Sequence, residues 1–434
     1  TPASTDTNAP TRRLNPIPEL DVIHPPHPRW LENLGAETHL FRDWWGVRTN
    51  MIALGIKPSV VFVSDILGNP FGGESQGVTA FNNLGVDLFF DLERLAGLHG
   101  GTVLVSGSWR SGDCLSCEYI HNTFNVAQVC CGATYRMVDV FYEQTFAQDR
   151  LDIRLGRIAA GDEFLSSPLF GTFVQNGIDG NPVGIFFNSP GMSAYPRGTW
   201  GLRLRTRPTS LTGGFYAMTG VFNGDETLGE NDKHGVDWSM KGPVFAIAEA
   251  GYRLNEFTYS KGLPGNYRVG GWYDDHRFSQ FVPAALGQPN AATRGNAGFY
   301  LLMDQMVYRE GKDPHSAQGL TPFVSILISP DEAVSTMPFF ANGGLQYQGL
   351  IPGRKDDIAA FGVVYGAFSD RLQESQALTG MGVQNHETVL EWTYRIKFKP
   401  WFYIQPDFQY ILRPGGTGQL PDALVLGAQL ALSF

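Results

Sequence analysis

Strict alternation of apolar and polar residues is the feature that most constrains this chain. The clearest example is TWGLRLRTRP, residues 199–208. A period of two places alternate side chains on opposite faces of a β-strand. One face carries Trp200, Leu202 and Leu204, and the other carries Arg203, Arg205 and Arg207. No acidic residue within the strand accompanies the arginines. The pattern therefore raises the question of whether each face contacts lipid, a packed core or water.

The same alternation recurs along the chain, with turn signals such as GLPGN and RPGG between the segments. The clearest further segments are VDLFFDLE (86–93), TVLVSGSWR (102–110), RLDIRLG (150–156), VFAIAEAGY (244–252) and TVLEWTYRIKF (388–398). Half-apolar segments separated by turns are typical of antiparallel sheets. The first segment predicts a strand that continues to residue 93.

The composition of the two faces favours a membrane barrel over a soluble β-sandwich. Aromatic residues recur at the ends of the apolar faces, at Trp200, Tyr252, Trp392, Tyr394 and Phe398. Charge of both signs occupies the other faces, as in an outer-membrane barrel with aromatic girdles and a polar lumen. Charged residues make up 17% of the chain, below the usual quarter, which indicates that much of its surface does not face water. No run of 18 apolar residues is present, which excludes transmembrane helices.

The final segment, DALVLGAQLALSF, supports the same interpretation. Every second residue from Leu424 to Phe434 is apolar, and the residues between them are small or polar apart from Val425. This pattern resembles the C-terminal strand of a bacterial outer-membrane protein. In lipid, strands can pair all their backbone groups only in a closed barrel. We therefore expect Leu202 and Leu204 to face lipid and the arginines to face a water-filled channel.

The domain organisation follows from where the alternation lies. Residues 1–33 are rich in proline and have no periodicity, which predicts an extended lead segment on the periplasmic side. Residues 34–434 are predicted to form one barrel domain. The chain starts without a basic-then-apolar leader, so we expect any signal peptide to have been removed already.

Four cysteines, Cys114, Cys117, Cys130 and Cys131, fall within one 18-residue window. They could bind zinc or form disulfides. Adjacent cysteines rarely supply two zinc ligands, and His121 is the only histidine close by, so one or two disulfides are favoured. Their connectivity stays open, and we expect no metal and no cofactor.

No motif predicts catalysis. GGESQG contains a formal G-x-S-x-G at residues 73–77, but a nucleophile elbow needs a strand before the serine and a helix after it. The acidic stretch NGDETLGENDKHG (223–235) could bind Ca²⁺, yet its spacing does not fit an EF-hand, and an extracellular loop is expected. The net charge of −10 gives no reason to expect nucleic-acid binding.

The candidate site residues are arginines and one tryptophan on the non-lipid faces of their strands. Arg110, Arg154, Arg203, Arg205 and Trp272 have this parity, and Arg136 lies on a strand whose parity is open. These arginines either hydrate the lumen and pair with Asp87, Asp152 or Glu249, or converge on a constriction. A guanidinium offers a rigid fork of donors suited to sugar hydroxyls, carboxylates or phosphates. Trp272 could stack on a sugar ring or narrow the pore.

Beyond these patterns, the sequence from about residue 84 to the end resembles the carbohydrate-selective porins of OprB type. The stretches that carry the resemblance are GRIAAGDEFLSSPLFGTFVQN (156–176), NPVGIFFNSPGMSAYPRGTWGLRLR (181–205), LPGNYRVGGWYD (263–274), GFYLLMDQMVYRE (298–310), SPDEAVSTMPFFANGGLQYQGLIPGRKDD (329–357) and ETVLEWTYRIKFKPWFYIQPDFQYILRPGG (387–416).

The resemblance implies a transmembrane antiparallel barrel of 16 strands in a Gram-negative outer membrane, with inward-folded loops that form an eyelet. It implies passive diffusion of glucose-like monosaccharides by a monomer or homotrimer, with arginines and an aromatic residue at the eyelet contacting the sugar. Arg110 and Arg136 match the region of those arginines. A general or anion-preferring pore is the alternative, because the cysteine-rich segment 114–131 and the proline-rich lead depart from the family pattern.

Overall fold

The fold is a closed antiparallel β-barrel, seen in a computed structural model that describes residues 39–41, 43–130, 132–147, 150–207, 214–255, 262–288 and 291–434. Its strands are β1 Ile56–Phe71, β2 Val78–Asp91, β3 Gly101–Gly112, β4 Tyr135–Phe146, β5 Leu151–Ile158, β6 Thr199–Thr206, β7 Gly214–Asn223, β8 Val244–Leu254, β9 Gly265–Ser279, β10 Ala292–Gln305, β11 Tyr308–Arg309, β12 Gly319–Ile328, β13 Phe339–Gln348, β14 Ile358–Ala367, β15 His386–Lys399, β16 Phe402–Leu412 and β17 Ala423–Ser433.

The barrel has sixteen strand positions. Each strand pairs with its neighbours in sequence, and the two-residue β11 pairs with β12 beyond the end of β10, so it occupies the same position as β10. The last strand closes the sheet by pairing with β1, where Val61 lies opposite Ser433. β17 ends at Ser433, one residue before the end that the alternation predicted, Phe434. The backbone N of Phe434 still donates to the Val60 carbonyl of β1 at 3.0 Å.

Helices are short and lie in the connections. The α-helices are α1 Val47–Leu54, α2 Leu92–Ala96, α3 Ala160–Glu163, α4 Phe281–Ala285 and α5 Asp370–Thr379. Single turns of 3-10 helix span Trp44–Gly46, Phe170–Thr172, Val183–Phe187, Glu226–Gly229, Asn231–Lys233 and Pro414–Gly416, and a π-turn spans Ser116–Ile120. Across the described part of the chain, none of the helices is long and apolar enough to cross a membrane.

The two faces of β6 are those that the alternation predicts. Leu202 and Leu204 are 45% and 39% exposed on the outside of the barrel, whereas Arg203 and Arg205 are 0% and 4% exposed inside it. The same inward parity holds for Arg110 on β3, which is buried. The outward and inward assignments of the sequence analysis are confirmed for these strands.

One strand end was predicted wrongly. The alternation of residues 86–93 suggested strand to the end of the segment, but β2 stops at Asp91 and α2 begins at Leu92. The Asp91 Oδ1 accepts hydrogen bonds from the backbone N of Glu93 at 3.0 Å and of Arg94 at 3.2 Å. This side chain satisfies the first amides of the helix, so it caps the helix and terminates the strand.

The connections at the two ends of the barrel differ in length. Connections such as 92–100 and 400–401 are short, and those at the other end include 113–134, 159–198 and 224–243. The longest of these, 159–198, joins β5 to β6 and folds into the barrel; we call it the inward loop. The proline-rich lead, residues 1–33, lies outside the described residues.

The barrel interior is more apolar than predicted. Rings of the inward loop pack on rings from the barrel wall, with centroid separations of 6.2 Å for Phe164–Phe222 and 5.4 Å for Phe173–Phe323. These rings belong to one large cluster of buried apolar residues. The inward loop therefore fills part of the lumen with a packed core, and the polar lumen of the prediction is confined to what remains.

We expect Leu202→Arg to destabilise the barrel, because it places a charge on the lipid-facing side. At the bilayer midplane such a substitution costs about 2–4 kcal/mol. The measurement is the free energy of unfolding in urea from lipid vesicles. Leu378→Arg in α5 is the matched control, since Leu378 is also an exposed leucine, at 53%, but lies in a connection. Equal stability of the two variants would contradict an outward-facing Leu202 in lipid.

Candidate functional site

A cavity of about 380 Å³ opens inside the barrel, between the β3–β4 wall and three long connections. Two of these, 113–134 and 224–243, reach the cavity beside the inward loop. The polar residues that line it are Arg110, Arg136, Arg197, Gln128, Asn176, Asn181, Asn231, Asp162, Asp179 and Tyr195. Arginines, amides, carboxyls and an aromatic ring thus surround one space.

Arg110 is held in place on the β3 side of the cavity. Its Nε donates to Asn83 Oδ1 at 3.2 Å and its Nη2 donates to Gln128 Oε1 at 3.3 Å. The guanidinium carbon lies 5.5 Å from the centroid of the Tyr195 ring, within cation–π range. Burial raises the pKa of Tyr195 to about 12, so its phenol stays neutral at pH 7. The arrangement fixes a cation and an aromatic ring side by side.

Arg136 and Arg197 meet at Gly229. Arg136 donates from Nη1 to the Gly229 carbonyl at 3.1 Å and from Nη2 to Asn231 Oδ1 at 2.5 Å. A Cβ on Gly229 would lie 2.5 Å from Arg197 Cδ and 3.1 Å from its Nη1. The glycine therefore lets Arg197 approach the backbone that Arg136 already holds, which brings two guanidinium groups to one point.

The acidic stretch 223–235 contributes residues to the cavity, which the sequence did not indicate. It was expected to be a solvated loop, but its Gly229 and Asn231 reach into the barrel and accept hydrogen bonds from Arg136. Of its acidic residues, Asp225 acts locally, since its Oδ1 accepts from the backbone N of Thr227 at 3.0 Å, whereas Glu226 lies close enough to Arg197 of the inward loop to attract its charge.

Three of the predicted channel arginines lie elsewhere, in a buried ion-pair cluster. Arg203 pairs with Glu143 at 2.6 Å and with Glu163 at 2.9 Å. The full set of pairs joins Arg154 to Glu143 and Glu163, Arg203 to Glu143, Asp152 and Glu163, and Arg205 to Asp152. The structure therefore favours, for these three, the alternative in which the arginines pair with acids.

Two of the three partner acids, Glu143 and Glu163, were missed because they come from other elements. Within β6 the arginines have no acidic neighbour, but Glu143 lies on β4 and Asp152 on β5. Of the acids proposed from the sequence, Asp152 is indeed a partner. Glu249 instead accepts hydrogen bonds from two tyrosine hydroxyls, those of Tyr216 at 2.7 Å and Tyr300 at 2.9 Å.

The cluster anchors the inward loop. Glu163 belongs to α3, at the start of that loop, and it pairs with arginines from β5 and β6. Its neighbour Asp162 lines the cavity. The ion pairs consequently fix the point from which the loop extends over the cavity.

Trp272 points into the barrel, as predicted, but it does not line the cavity. It is buried in the large apolar cluster, and a Cβ on the opposite Gly298 would lie 2.7 Å from the indole ring. The aromatic residues at the cavity are Tyr195 and Phe186. Sequence reasoning missed them, because both lie in the non-periodic part of the stretch 181–205, before β6 begins at Thr199.

The cysteines form one cluster beside the cavity. A disulfide joins Cys114 to Cys130, and Cys130 lines the cavity. The sulfur of the exposed Cys117 lies within 4.8 Å of both of the other sulfurs. Cys131, the fourth cysteine, lies outside the described residues. The observed disulfide is the kind of bond that the sequence analysis favoured over a zinc site.

The serine of the G-x-S-x-G match has no nucleophile-elbow context. Ser75 lies between β1 and β2, so a strand follows it rather than a helix. Its backbone N donates to the Tyr119 carbonyl at 2.9 Å, which ties this loop to the connection 113–134.

The family model for carbohydrate-selective porins of the OprB family matches residues 75–434. The chain belongs to the OprB family. OprB-family proteins are channels in the outer membrane, so this chain is an outer-membrane porin of a carbohydrate-selective family and not an enzyme.

Individual relatives agree over nearly the whole chain. Porin B of Pseudomonas aeruginosa is 23% identical over 90% of both chains, and the putative porin QuiX of Acinetobacter baylyi is 24% identical over 91% of this chain and 93% of its own. The high-pH structure of Pseudomonas putida OprB superposes with a TM-score of 0.85 at 24% identity, covering 92% of this chain and 99% of that one. The latter comparison supports the OprB barrel fold.

Glu163→Gln should loosen the inward loop. Removing one partner of a buried ion pair costs about 3–5 kcal/mol, because the opposing charges stay buried without it. We expect a lower unfolding temperature in detergent and noisier single-channel current. Glu374→Gln is the control, since Glu374 pairs with Arg371 on the exposed side of α5, where a pair contributes about 0–1 kcal/mol. If both variants behave like the wild type, Glu163 does not anchor the loop.

The disulfide can be tested separately. In the chain-entropy model, a disulfide that closes a loop of about 15 residues raises the free energy of unfolding by about 3 kcal/mol. Cys114 and Cys130 are 16 residues apart, so their disulfide belongs to this range. Peptide mapping without reduction should recover the Cys114–Cys130 link. Cys114→Ser with Cys130→Ser should raise current noise at the cavity, because Gln128, a partner of Arg110, lies in the released segment. Recovery of both residues as free thiols would exclude this link.

Proposed function

We propose that this porin gives passive, sugar-preferring diffusion of glucose-like monosaccharides, and that the sugar binds transiently in the arginine-lined cavity. The observation that carries the proposal is the meeting of Arg110, Arg136 and Tyr195 with amide side chains in one space of about 380 Å³. That volume falls within the range of about 300–1,000 Å³ typical of small-molecule sites.

The chemistry of the lining suits a polyhydroxylated ring. Guanidinium and amide groups donate hydrogen bonds to hydroxyl oxygens, while amide and carboxyl oxygens accept from hydroxyl hydrogens. The rings of Tyr195 and Phe186 supply apolar surface for the C–H face of a sugar. Direct hydrogen bonds of this kind need donors at fixed positions, and the partners of Arg110 hold its guanidinium still.

Weak binding is what a diffusion channel requires. One hydrogen bond nets about 1 kcal/mol, so a few bonds with some ring contact give about −4 kcal/mol, which corresponds to a dissociation constant of about 1 mM. A solute held at this strength enters and leaves readily, as conduction demands.

A general pore that prefers anions is the second candidate. The observation in its favour is that three arginines line the cavity, Arg110, Arg136 and Arg197, against two carboxyls, Asp162 and Asp179. Such a pore would select chloride over potassium but would show no current block by neutral sugars.

Arg110→Ala should weaken sugar block of the single-channel current. Each hydrogen bond to the sugar that is lost raises the half-blocking glucose concentration about five-fold. The measurement is glucose titration in planar bilayers. Arg371→Ala serves as the control, because Arg371 is an exposed arginine on α5. Unchanged glucose block in Arg110→Ala would place the sugar site elsewhere, and absence of glucose block in the wild type would favour the general pore.

A further inference from the structure

We infer that the cavity prefers monosaccharides that carry a carboxylate, and that the carboxylate binds between Arg136 and Arg197 at Gly229. This inference rests on the proposed function, because it assumes that the passing solute occupies the cavity. It goes further by naming sugar acids, rather than neutral sugars, as the substrate class that the cavity holds best.

The first support is the local charge. With three arginines and two carboxyls the formal charge of the lining is 3 − 2 = +1. Burial, reinforced by the neighbouring Asp65 carboxylate, raises the pKa of Asp179 well above its usual range. Asp179 therefore opposes an anionic solute less than a fully ionised carboxylate would. A positive lining surrounded by protein concentrates anions.

The second support is the nature of the groups that hold Arg136. It donates to two neutral oxygens, the Gly229 carbonyl and the Asn231 amide oxygen. The arginines of the ion-pair cluster show the contrast, since Arg154 and Arg203 each pair with two or more carboxylates. Neutral partners position Arg136 without cancelling its charge, so a positive field remains in the cavity.

The third support is the approach of Arg197. It is exposed, and its side chain crosses Gly229, whose carbonyl Arg136 already holds. Two guanidinium groups at one backbone point present several N–H donors towards the cavity. A carboxylate accepts such donors in bidentate geometry, and charge-assisted hydrogen bonds of this type are about twice as strong as neutral ones. A carboxylate placed here also relieves the repulsion between the two cations.

The ring of a sugar acid would then extend over the remaining lining. Asn176 and Asn181 of the inward loop offer amide groups to its hydroxyls, and Tyr195 stands beside Arg110. The carboxylate would thus occupy the Arg136–Arg197 end of the cavity and the hydroxyls the rest of it. A neutral sugar can form only hydroxyl hydrogen bonds with either set of residues, without the charge-assisted ones, which predicts weaker retention.

The test compares block of the wild-type channel by D-glucose and by D-glucuronate, which has a carboxylate where glucose has a hydroxymethyl group. We expect the half-blocking concentration of glucuronate to be about ten-fold lower at about 0.1 M salt. The difference should shrink at about 1 M salt, where the screening length falls from about 10 Å to about 3 Å. Acetate, a carboxylate without a ring, should block far less than glucuronate.

Arg197→Gln should bring the ratio of the two half-blocking concentrations towards one, and Arg136→Gln should act in the same direction. Arg197→Lys keeps the charge but loses the fork, so it should give an intermediate ratio. Arg371→Gln on α5 is the control and should keep the wild-type ratio. Because Arg197 is exposed in a connection, its variants test the subsite without disturbing the barrel wall.

Three results would overturn the inference. Glucose block with no stronger block by glucuronate would reject the carboxylate subsite and leave the proposed function standing. Block by acetate equal to that by glucuronate would show general anion attraction instead of a sugar-acid site. A wild-type ratio retained in Arg197→Gln and Arg136→Gln would put the carboxylate elsewhere. Absence of block by either sugar would reject the proposed function itself.

Discussion

Lipid offers no hydrogen-bond partners, so every backbone group of a membrane-spanning strand must be paired within the protein. In this porin the requirement is met by the pairing of β17 with β1, which leaves no open edge in the sheet. Closure fixes the alternation of faces around the whole barrel, because a shift of one residue in the pairing of a strand would turn its lipid-facing residues inward. The outward Leu202 and the inward Arg203 are both consequences of that constraint.

A closed barrel of sixteen strands encloses space, and the inward loop determines what remains of it. Two kinds of interaction hold that loop. Its phenylalanines pack on rings of the wall, and Glu163 pairs with Arg154 and Arg203. Packing fills one part of the lumen, and the ion pairs fix the start of the loop at the β5–β6 wall. The cavity is the space left between this anchored loop and the β3–β4 wall, which explains why its lining mixes wall arginines with loop amides.

Arginines in this barrel have two roles that their neighbours decide. Arg203 is surrounded by Glu143, Asp152 and Glu163, so its charge is used to hold the structure together. Arg136 is held by a carbonyl and an amide, so its charge remains effective in the cavity. Both side chains are buried, inward-facing and on neighbouring parts of the wall. Inward parity alone therefore does not identify a residue that contacts solute.

The sequence by itself determined the barrel class and the faces of its strands, since alternation is a local property: the period of two predicted the faces of β6, and the pattern to Phe434 predicted the closing strand. It also pointed to Arg110 as a cavity residue. Tertiary structure decided the rest of the site. The partners of Arg203 come from β4, β5 and α3, and Arg197 meets Arg136 across Gly229 from a different connection. Such contacts depend on how a non-periodic loop folds into the barrel, and no spacing along the chain encodes them.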